Sequence, residues 1–507
     1  MAFFWLLLGL LGIFTYTVIQ RSVRNLTRTP VWLLWLVMMA PAFTWASWVL
    51  LNGENEPMPL LLLVGPFIIS PIIYWFLVQW GRVPSDQQRP TPPTSTEPIL
   101  ADALPILTEN ATPQRAALRP ITKDEEITLK GCFPWSIYYV QTIEYRPQAL
   151  VCRGQLRTSP EIAYDTIRRN ILEKFGDRFL VMFQEGLNGK PFFALVPNPY
   201  QQAGKSGKFV VTARPGLSLG LFLATLITTT LAGMLMAAVM NGASEIQFTL
   251  SAFLHDGLPY ALTLMVILGC HEFGHYWMAR RHRIQSTLPY FIPVPPAAIF
   301  PFGTFGAFIQ MQSPVPHRKA LFDVGIAGPL VGFVVSLPLV IWGLAHSTTL
   351  PLTEESGLFN FASFNPHASL LLTLLSRLAL GADFTMDVAL NLHPVAIAGC
   401  LGIVVTALNL MPVGQLDGGH IVHAMFGQRT GALIGQVARF LILALSFVQR
   451  EFLLWAILLF FMPIVDEPTL NDVTELDNQR DFWGLLSLTI LIIIILPAPK
   501  ALMHLFL

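Results

Sequence analysis

Long apolar runs separated by short polar stretches set the organisation of this chain. Three runs open it, at 2–19, 31–51 and 60–80, each close to the roughly 20 residues a helix needs to cross the hydrocarbon of a bilayer. Seven more follow a polar middle region, at 217–240, 258–279, 321–344, 395–411, 432–448, 452–464 and 483–496. The pattern predicts about ten crossings. The first run has no basic leading region and no A-x-A cleavage site, so a retained span is expected there. Between the two blocks, 82–112 carries Pro90, Pro92, Pro93, Pro98 and Pro105 among Thr, Ser and Gln, a composition that holds neither helix nor sheet for long and predicts a linker.

Over 119–202 charge rises, and strand-like stretches at 149–156, 178–184 and 191–196 accompany a helical pattern at 160–175. This predicts a small α+β domain. Ser159 and Pro160 stand in the N-cap and N1 order of a helix start, with Glu161 in the first turn. Ile162, Ile167, Ile171 and Leu172 are the expected packed face. The fold class is therefore mostly α, a polytopic membrane protein with a small soluble α+β domain. The expected divisions are a three-helix membrane module over 1–81, a linker over 82–118, the α+β domain over 119–208, a membrane core over 214–466 and a C-terminal segment over 467–507 with the last span.

Composition agrees: 53% apolar and 12% charged residues exclude an ordinary soluble globule. Net charge is zero and no long block of like charge offers a nucleic-acid surface. The basic residues instead flank the apolar runs: Arg21, Arg24 and Arg28, then Arg82 and Arg89, Arg280, Arg281 and Arg283, and Arg318 with Lys319. If the spans alternate, all fall on one side, which assigns that side, and the soluble domain with it, to the cytoplasm or its equivalent and the N-terminus to the opposite face. The stretches 52–59 and 347–387 then face the other compartment. Cys132, Cys152, Cys270 and Cys400 show no metal-site or redox spacing and are expected to be reduced and structural, with a Cys132–Cys152 pair open only to an oxidising compartment.

The chemistry sits in two places. His271-Glu272-Phe273-Gly274-His275 ends the apolar run at 258–269; four residues apart on a helix, the two imidazoles share one face and can grip one ion while Glu272 stays free beside it. A catalytic zinc site usually takes three protein ligands and leaves one position for water, so a third ligand is required. Asp417 is the best candidate: it lies just past the run at 395–411, on the side where His275 emerges. Pro412 and Gly414 break that helix, and Gly418 and Gly419 free the backbone that follows, so a turn aims Asp417 at the ion. The expected cofactor is one Zn2+ per chain, with Glu272 as general base in attack on a peptide carbonyl. Polar groups in lipid need a reason, and a metal site is one. Asn409 either hydrogen-bonds the substrate or oxyanion or caps a broken helix. His420 is expected outside the ligand set, since a fourth ligand would crowd out water; His282, His317, His367 and His423 are expected at the surface, and His393 as a cap.

Between the motifs, 288–312 is apolar but crowded with Pro289, Pro293, Pro295, Pro296, Pro301, Gly303 and Gly306, which rules out a transmembrane helix and predicts a re-entrant β-type hairpin or loop. Within it, 304–311 has the content of a strand with a free edge. A helical substrate hides its peptide bonds in its own hydrogen bonds, and an exposed edge holds an unwound stretch by strand addition. Gly303, Thr304, Phe305 and Gly306 are the candidate substrate-binding residues, against the alternative that the loop only plugs the cavity.

At these residues the sequence resembles the site-2 protease family of intramembrane zinc metalloproteases, whose H-E-x-x-H and N-x-x-P-x-x-x-L-D-G patterns match His271 to His275 and Asn409 to Gly418. It is most similar to the EGY branch of plastids and their cyanobacterial relatives, through Gly303 to Ala307, Ala327-Gly328-Pro329, and Ala407 to Leu410 running into Gly414 to His420. The resemblance covers about 217–464 and implies that His271, His275 and Asp417 bind zinc, that Glu272 is the base, and that the partners are the lipid bilayer and membrane proteins cut within or near a transmembrane segment, in a plasma or internal, thylakoid-type membrane. Where the branch carries a G-N-L-R-E type motif, this chain reads Gly154-Gln155-Leu156-Arg157-Thr158. No PDZ-like region separates the catalytic spans, which leaves substrate gating to the linker and the α+β domain. Two rival readings are a transporter, which predicts charged groups spread along several spans, and a silent chaperone or adaptor on the same fold, which would typically have lost the base or a ligand.

Overall fold

The structure is a computed structural model that describes residues 12, 15–17, 19–20, 29–53, 59–81, 121–146, 149–186, 189–198, 214–242, 249–296, 300–354, 356–358, 360–447, 449 and 451–499. The linker at 82–112, the basic residues Arg21, Arg24, Arg28, Arg82 and Arg89, and most of 2–19 and 52–59 lie outside the described residues. The chain divides into two compact units, 1–110 and 111–507.

In the first unit, helices α1 (Val31–Met38) and α2 (Ala40–Asn52) meet at a bend of 54°, and α3 (Leu60–Trp80) runs 21 residues. Leu34 is fully buried beside Ile19, with Tyr74, Leu77 and Val78 packed on the pair.

The second unit begins with the α+β domain. Helix α4 (Lys123–Gly131) opens on a capping box, Thr122 taking the Glu125 backbone N–H while the Glu125 carboxylate takes that of Thr122. Strands β1 (Tyr138–Arg146) and β2 (Ala149–Leu156), helix α5 (Pro160–Phe175), and strands β3 (Phe179–Glu185) and β4 (Pro191–Pro197) follow. The sheet is antiparallel in the order β1-β2-β4-β3, so β1 and β3 are its edges. Tyr138, Phe183 and Phe193 are fully enclosed in its core. The packed face of α5 differs from expectation: Ala163, Tyr164, Ile167 and Ile171 are buried, whereas Ile162 and Leu172 are 55% and 50% exposed, because at 100° per residue they fall either side of that stripe. Ser159 holds the N-cap position before Pro160, but its side chain makes no capping hydrogen bond. In the 154–158 stretch, a Cβ on Gly154 would stand 2.1 Å from the Tyr139 carbonyl, and the Arg157 guanidinium lies over Trp135 and Tyr139. Both residues have packing reasons for their identity. All four cysteines are free thiols.

The membrane block comprises α6 (Pro215–Met240), α7 (Leu258–Arg281), the short strands β5 (Tyr290–Pro293) and β6 (Thr304–Phe308), α8 (Arg318–Ala345), β7 (Thr348–Pro351), α9 (Leu370–Leu380), β8 (Val388–Asn391), α10 (Pro394–Leu410), α11 (Asp417–Phe426), α12 (Gln428–Ser446), α13 (Phe452–Phe461) and α14 (Asn478–Ile495). Helix α7 is extended backward through a π-helical turn, Phe253–Gly257, into Leu250–Ala252. Five helices among the described residues are long and apolar enough to cross a membrane, namely α6, the 250–281 helix, α8, α12 and α14; the bent α1–α2 pair would make six. Helices α10 and α13 are apolar but shorter, 17 and 10 residues. The stretch 347–387, expected to face the other compartment, contains α9. Its alternation of Leu with Thr, Ser and Arg buries Leu372, Thr373, Leu375 and Ser376.

Helices α7, α8 and α10 pack together as the centre of the core. Close crossings depend on small residues: a Cβ on Gly343 would meet the Ala396 backbone at 2.4 Å, and one on Gly402 would meet Ile267 at 2.8 Å. The outer face of α7 is apolar and open, with Leu262, Val266, Phe273 and Trp277 each about half exposed, as a lipid-facing surface requires.

Candidate metal centre

His271 and His275 project from one face of α7 into the centre of the core, 3% and 7% exposed, with their Nε2 atoms 3.1 Å apart. Asp417, the first residue of α11, brings Oδ2 to 3.5 Å from His271 Nε2 and 3.3 Å from His275 Nε2. Among the described residues these three are the group of His, Cys, Asp and Glu whose donor atoms converge, all within 4.8 Å of one another.

The donor set fits a zinc-sized ion. Donors about 2.0–2.2 Å from a tetrahedral centre stand roughly 3.3–3.5 Å apart, close to the triangle formed here, whose sides are 3.1, 3.3 and 3.5 Å. His275 Nδ1 donates to the Val324 carbonyl at 2.7 Å; a carbonyl only accepts, so the proton is fixed on Nδ1 and the Nε2 lone pair faces the cluster. Glu272 is buried and Asp417 is only 16% exposed, both beside the two imidazoles, and carboxylates so withdrawn from water need compensation that a divalent cation supplies.

Three local features bring these groups together. The chain leaves α10 at Leu410 and turns through Gly414, whose φ of +52° is in the left-handed region. It then doubles back so closely that a Cβ on Gly418 would lie 2.0 Å from the Leu410 carbonyl, and one on Gly419 would lie 2.1 Å from that of Gly414. These two glycines therefore act through close approach inside α11 and not as a loose hinge. Finally, α8 turns a glycine face toward the ligands: a Cβ would lie 3.0 Å from His420 at Gly325, 2.1 Å from His275 Nε2 at Gly328 and 3.1 Å from His271 Nδ1 at Gly332.

The other expected site residues fall around this centre. Glu272 is 7% exposed, and the Ile309 backbone, just past β6, lies beside its carboxylate. Asn409 holds its amide 3.1 Å from His271 Nε2. Strands β5 and β6 pair only with each other among the described residues, Tyr290 opposite Phe308 and Phe291 opposite Ala307. Gly303, at a φ of +79°, offers its carbonyl to Thr228 Oγ1 of α6 at 2.7 Å. Thr304 Oγ1 donates to the Ile292 carbonyl and takes the Gly306 N–H, whereas Phe305 is 64% exposed.

Of the remaining histidines, His282, His317 and His423 depart from the surface expectation, whereas His393 is the cap expected of it. His393 and His317 cap α10 and α8 through Nδ1, and His282 pairs with Asp323 at 2.8 Å. His423 is 1% exposed, its Nδ1 2.7 Å from Asp466 and its Nε2 2.8 Å from Asp472; His420 Nδ1 reaches the same Asp466 oxygen at 2.9 Å. The one sequence signal for this cluster is the three-residue spacing of Asp417, His420 and His423 along α11; the acids come from a distant segment. Burial opposes the His423 charge, but the hydrogen bonds to Asp466 and Asp472 outweigh it and hold its pKa up to about 9. A raised histidine pKa adds stability that is complete below the ordinary value of about 6.5 and is lost as pH rises through about 9. Thermal unfolding in detergent is therefore expected at lower temperature near pH 10 than near pH 6, by roughly 1–3 kcal/mol of stability, and His423→Gln removes that difference. An equal alkaline loss in the variant would remove His423 as its source.

Comparison with known proteins follows the same division of the chain. Residues 259–449 match the model for Peptidase family M50. The chain is 29% identical over 378 residues to probable zinc metalloprotease EGY2, chloroplastic, of Arabidopsis thaliana, which covers 73% of this chain and 64% of that protein. Over 247 residues it is 33% identical to probable zinc metalloprotease EGY1, chloroplastic, of the same plant, covering 48% of this chain and 44% of that protein. The chain thus spans a little under two thirds of the length of the EGY2 relatives it matches. No solved structure matches it. The two histidines, Asn409 and Asp417 all lie in the segment that matches the M50 peptidase model, and the chain is similar across that segment to the EGY zinc metalloproteases.

Proposed function

We propose that this chain is an intramembrane zinc metalloprotease that hydrolyses peptide bonds within or near transmembrane segments of other membrane proteins. The observation that carries this reading is the convergence of His271, His275 and Asp417 at tetrahedral spacing within apolar helices, with a buried acid, Glu272, adjoining.

In this reading His271 and His275 hold the zinc through Nε2 and Asp417 through its carboxylate. When bound, zinc supplies Lewis acidity and makes water a nucleophile near neutral pH. Glu272 takes the proton from the attacking water at its carboxylate and delivers it to the leaving amine nitrogen. Asn409 hydrogen-bonds the substrate carbonyl or the oxyanion it becomes, a role supported by its amide lying beside His271. The outer edge of β6, with Gly303, Thr304, Phe305 and Gly306, holds an unwound stretch of substrate by strand addition, supported by the absence of a further partner strand among the described residues.

The ten-crossing arrangement, with 288–312 as a re-entrant hairpin at membrane depth, belongs to the same proposal, as do the divisions at 1–81, 82–118, 119–208, 214–466 and 467–507. The α+β domain and α11 would share the cytoplasmic or equivalent side, supported by their common contacts with the segment after α13.

Full-length protein in nanodiscs tests this. It is expected to carry about one zinc per chain and to cleave a single-span test peptide; stripping the metal with a chelator should stop cleavage, zinc should restore it, and Asp417→Ala should purify without zinc. Undiminished cleavage by metal-free protein would overturn the proposal.

A further inference from the structure

The segment that joins α13 to α14 contacts three parts of the molecule within a few residues. Toward the α+β domain, Leu470 and Asp472 pair with the free edge of β3: the Phe183 N–H donates to the Leu470 carbonyl at 2.7 Å, and the Asp472 N–H donates to the Phe183 carbonyl at 2.9 Å. Gln184 adds a bond from its amide to the Thr469 carbonyl at 2.6 Å, and Leu470 and Val473 pack on the domain core. On the other side, the Leu470 and Asn471 N–H groups donate to the Val315 and Pro316 carbonyls, just before α8. The segment thus bridges β3 and the entry to the membrane helices through isolated β-bridges at Asn471.

Its side chains reach the helix that carries Asp417. Both ring nitrogens of His423 face carboxylates, Asp466 on one side and Asp472 on the other. Carboxylates only accept, so both nitrogens carry protons and the ring is a cation wedged between two anions. Asp466 also takes His420 Nδ1, and Asp472 takes the Thr469 hydroxyl. Asp466, Asp472, His423 and Thr469 are all buried. At the far end of α11, Arg318 donates to the Ala424 and Met425 carbonyls.

We propose that His420 and His423 are positioning residues for Asp417, and that the α+β domain sets the placement of that carboxylate through the segment at 466–473. A helix of ten residues has little stability of its own, so its orientation comes from tertiary contacts. Here those contacts are directional and charged: sliding or rotating α11 against the segment would leave a buried ion without its partner. The backbone that bears Asp472 is also the backbone hydrogen-bonded to β3. A shift of the domain therefore reaches α11 through five residues or fewer.

The proposal rests on Asp417 being a metal ligand, and the test separates the two. In full-length protein in nanodiscs, hydrogen exchange is followed over 417–426, and the zinc is replaced by Co2+ so that its visible absorption reports ligand geometry. Asp472→Leu, and separately Leu470→Ser combined with Gln184→Ala, which loosens the segment from the domain alone, are expected to raise exchange in α11 about ten-fold, shift the cobalt bands and weaken Co2+ binding about ten-fold. Asp472→Asn, which keeps an acceptor for His423, should stay near wild type. Unchanged exchange and cobalt bands in the Leu470→Ser and Gln184→Ala double variant, with β1 and β2 still protected, would overturn the coupling. A cobalt spectrum unmoved by Asp417→Ala would overturn the ligand assignment and the positioning role with it, while the exchange data would still report whether domain and helix are linked.

Discussion

Gly328→Ala is expected to cost at least about 100-fold in zinc affinity, beyond the usual effect of losing one supporting contact of a ligand, and to remove cleavage with it. The added methyl would stand 2.1 Å from His275 Nε2 and 2.4 and 2.5 Å from the adjoining ring carbons, well inside any tolerable contact. Neither helix can give way cheaply, because Gly274 on α7 already lies so close to α8 that its own Cβ would stand 2.7 Å from the Ala327 carbonyl. The ring must rotate, which breaks its bond to Val324 and swings Nε2 away from His271 and Asp417. Zinc competition against a chromophoric chelator, with helix content checked by circular dichroism, measures this. Wild-type affinity in a folded variant would show that the close approach of α8 to His275 does not hold.

Glu272→Gln is expected to lower kcat by about 10²–10⁴-fold, the usual range for general acid–base catalysis, equivalent to roughly 3–5 kcal/mol of barrier, with zinc content and KM little changed. Glutamine keeps the shape and an acceptor oxygen, so the pocket should stay intact. What it lacks is a site for the proton. Single-turnover cleavage of a transmembrane peptide, alongside metal analysis, is the measurement; a rate within a few-fold of wild type would exclude Glu272 as the base.

The metal-site geometry was largely legible in the sequence because its signals are local. The four-residue spacing places His271 and His275 on one helix face, and the break after α10 identifies where Asp417 can turn inward. Membrane helices likewise appear as long apolar runs. The features that the sequence did not disclose depend on distant partners. His423 reads as a surface residue because nothing near it predicts Asp466 and Asp472, 43 and 49 residues further on. Gly325, Gly328 and Gly332 show small-residue spacing, but only the facing helix reveals that they clear space for imidazoles. On α5 the expected face shared Ile167 and Ile171 with the buried stripe but extended past it on both sides to Ile162 and Leu172, since several apolar side chains lie next to one another and tertiary packing decides which go inside.

The capture of β3 by residues from the far end of the chain also fixes an order of events during synthesis. Thr469 follows Gln184 by 285 positions, which a ribosome adding about 5–20 residues per second takes roughly 15–60 s to translate. Throughout that interval the domain has emerged with one side of its sheet bare, a template for any passing chain. The nascent protein must reach residues 469–472 before that edge is covered at Phe183, so termination earlier in the membrane block should leave a product that is sticky as well as inactive.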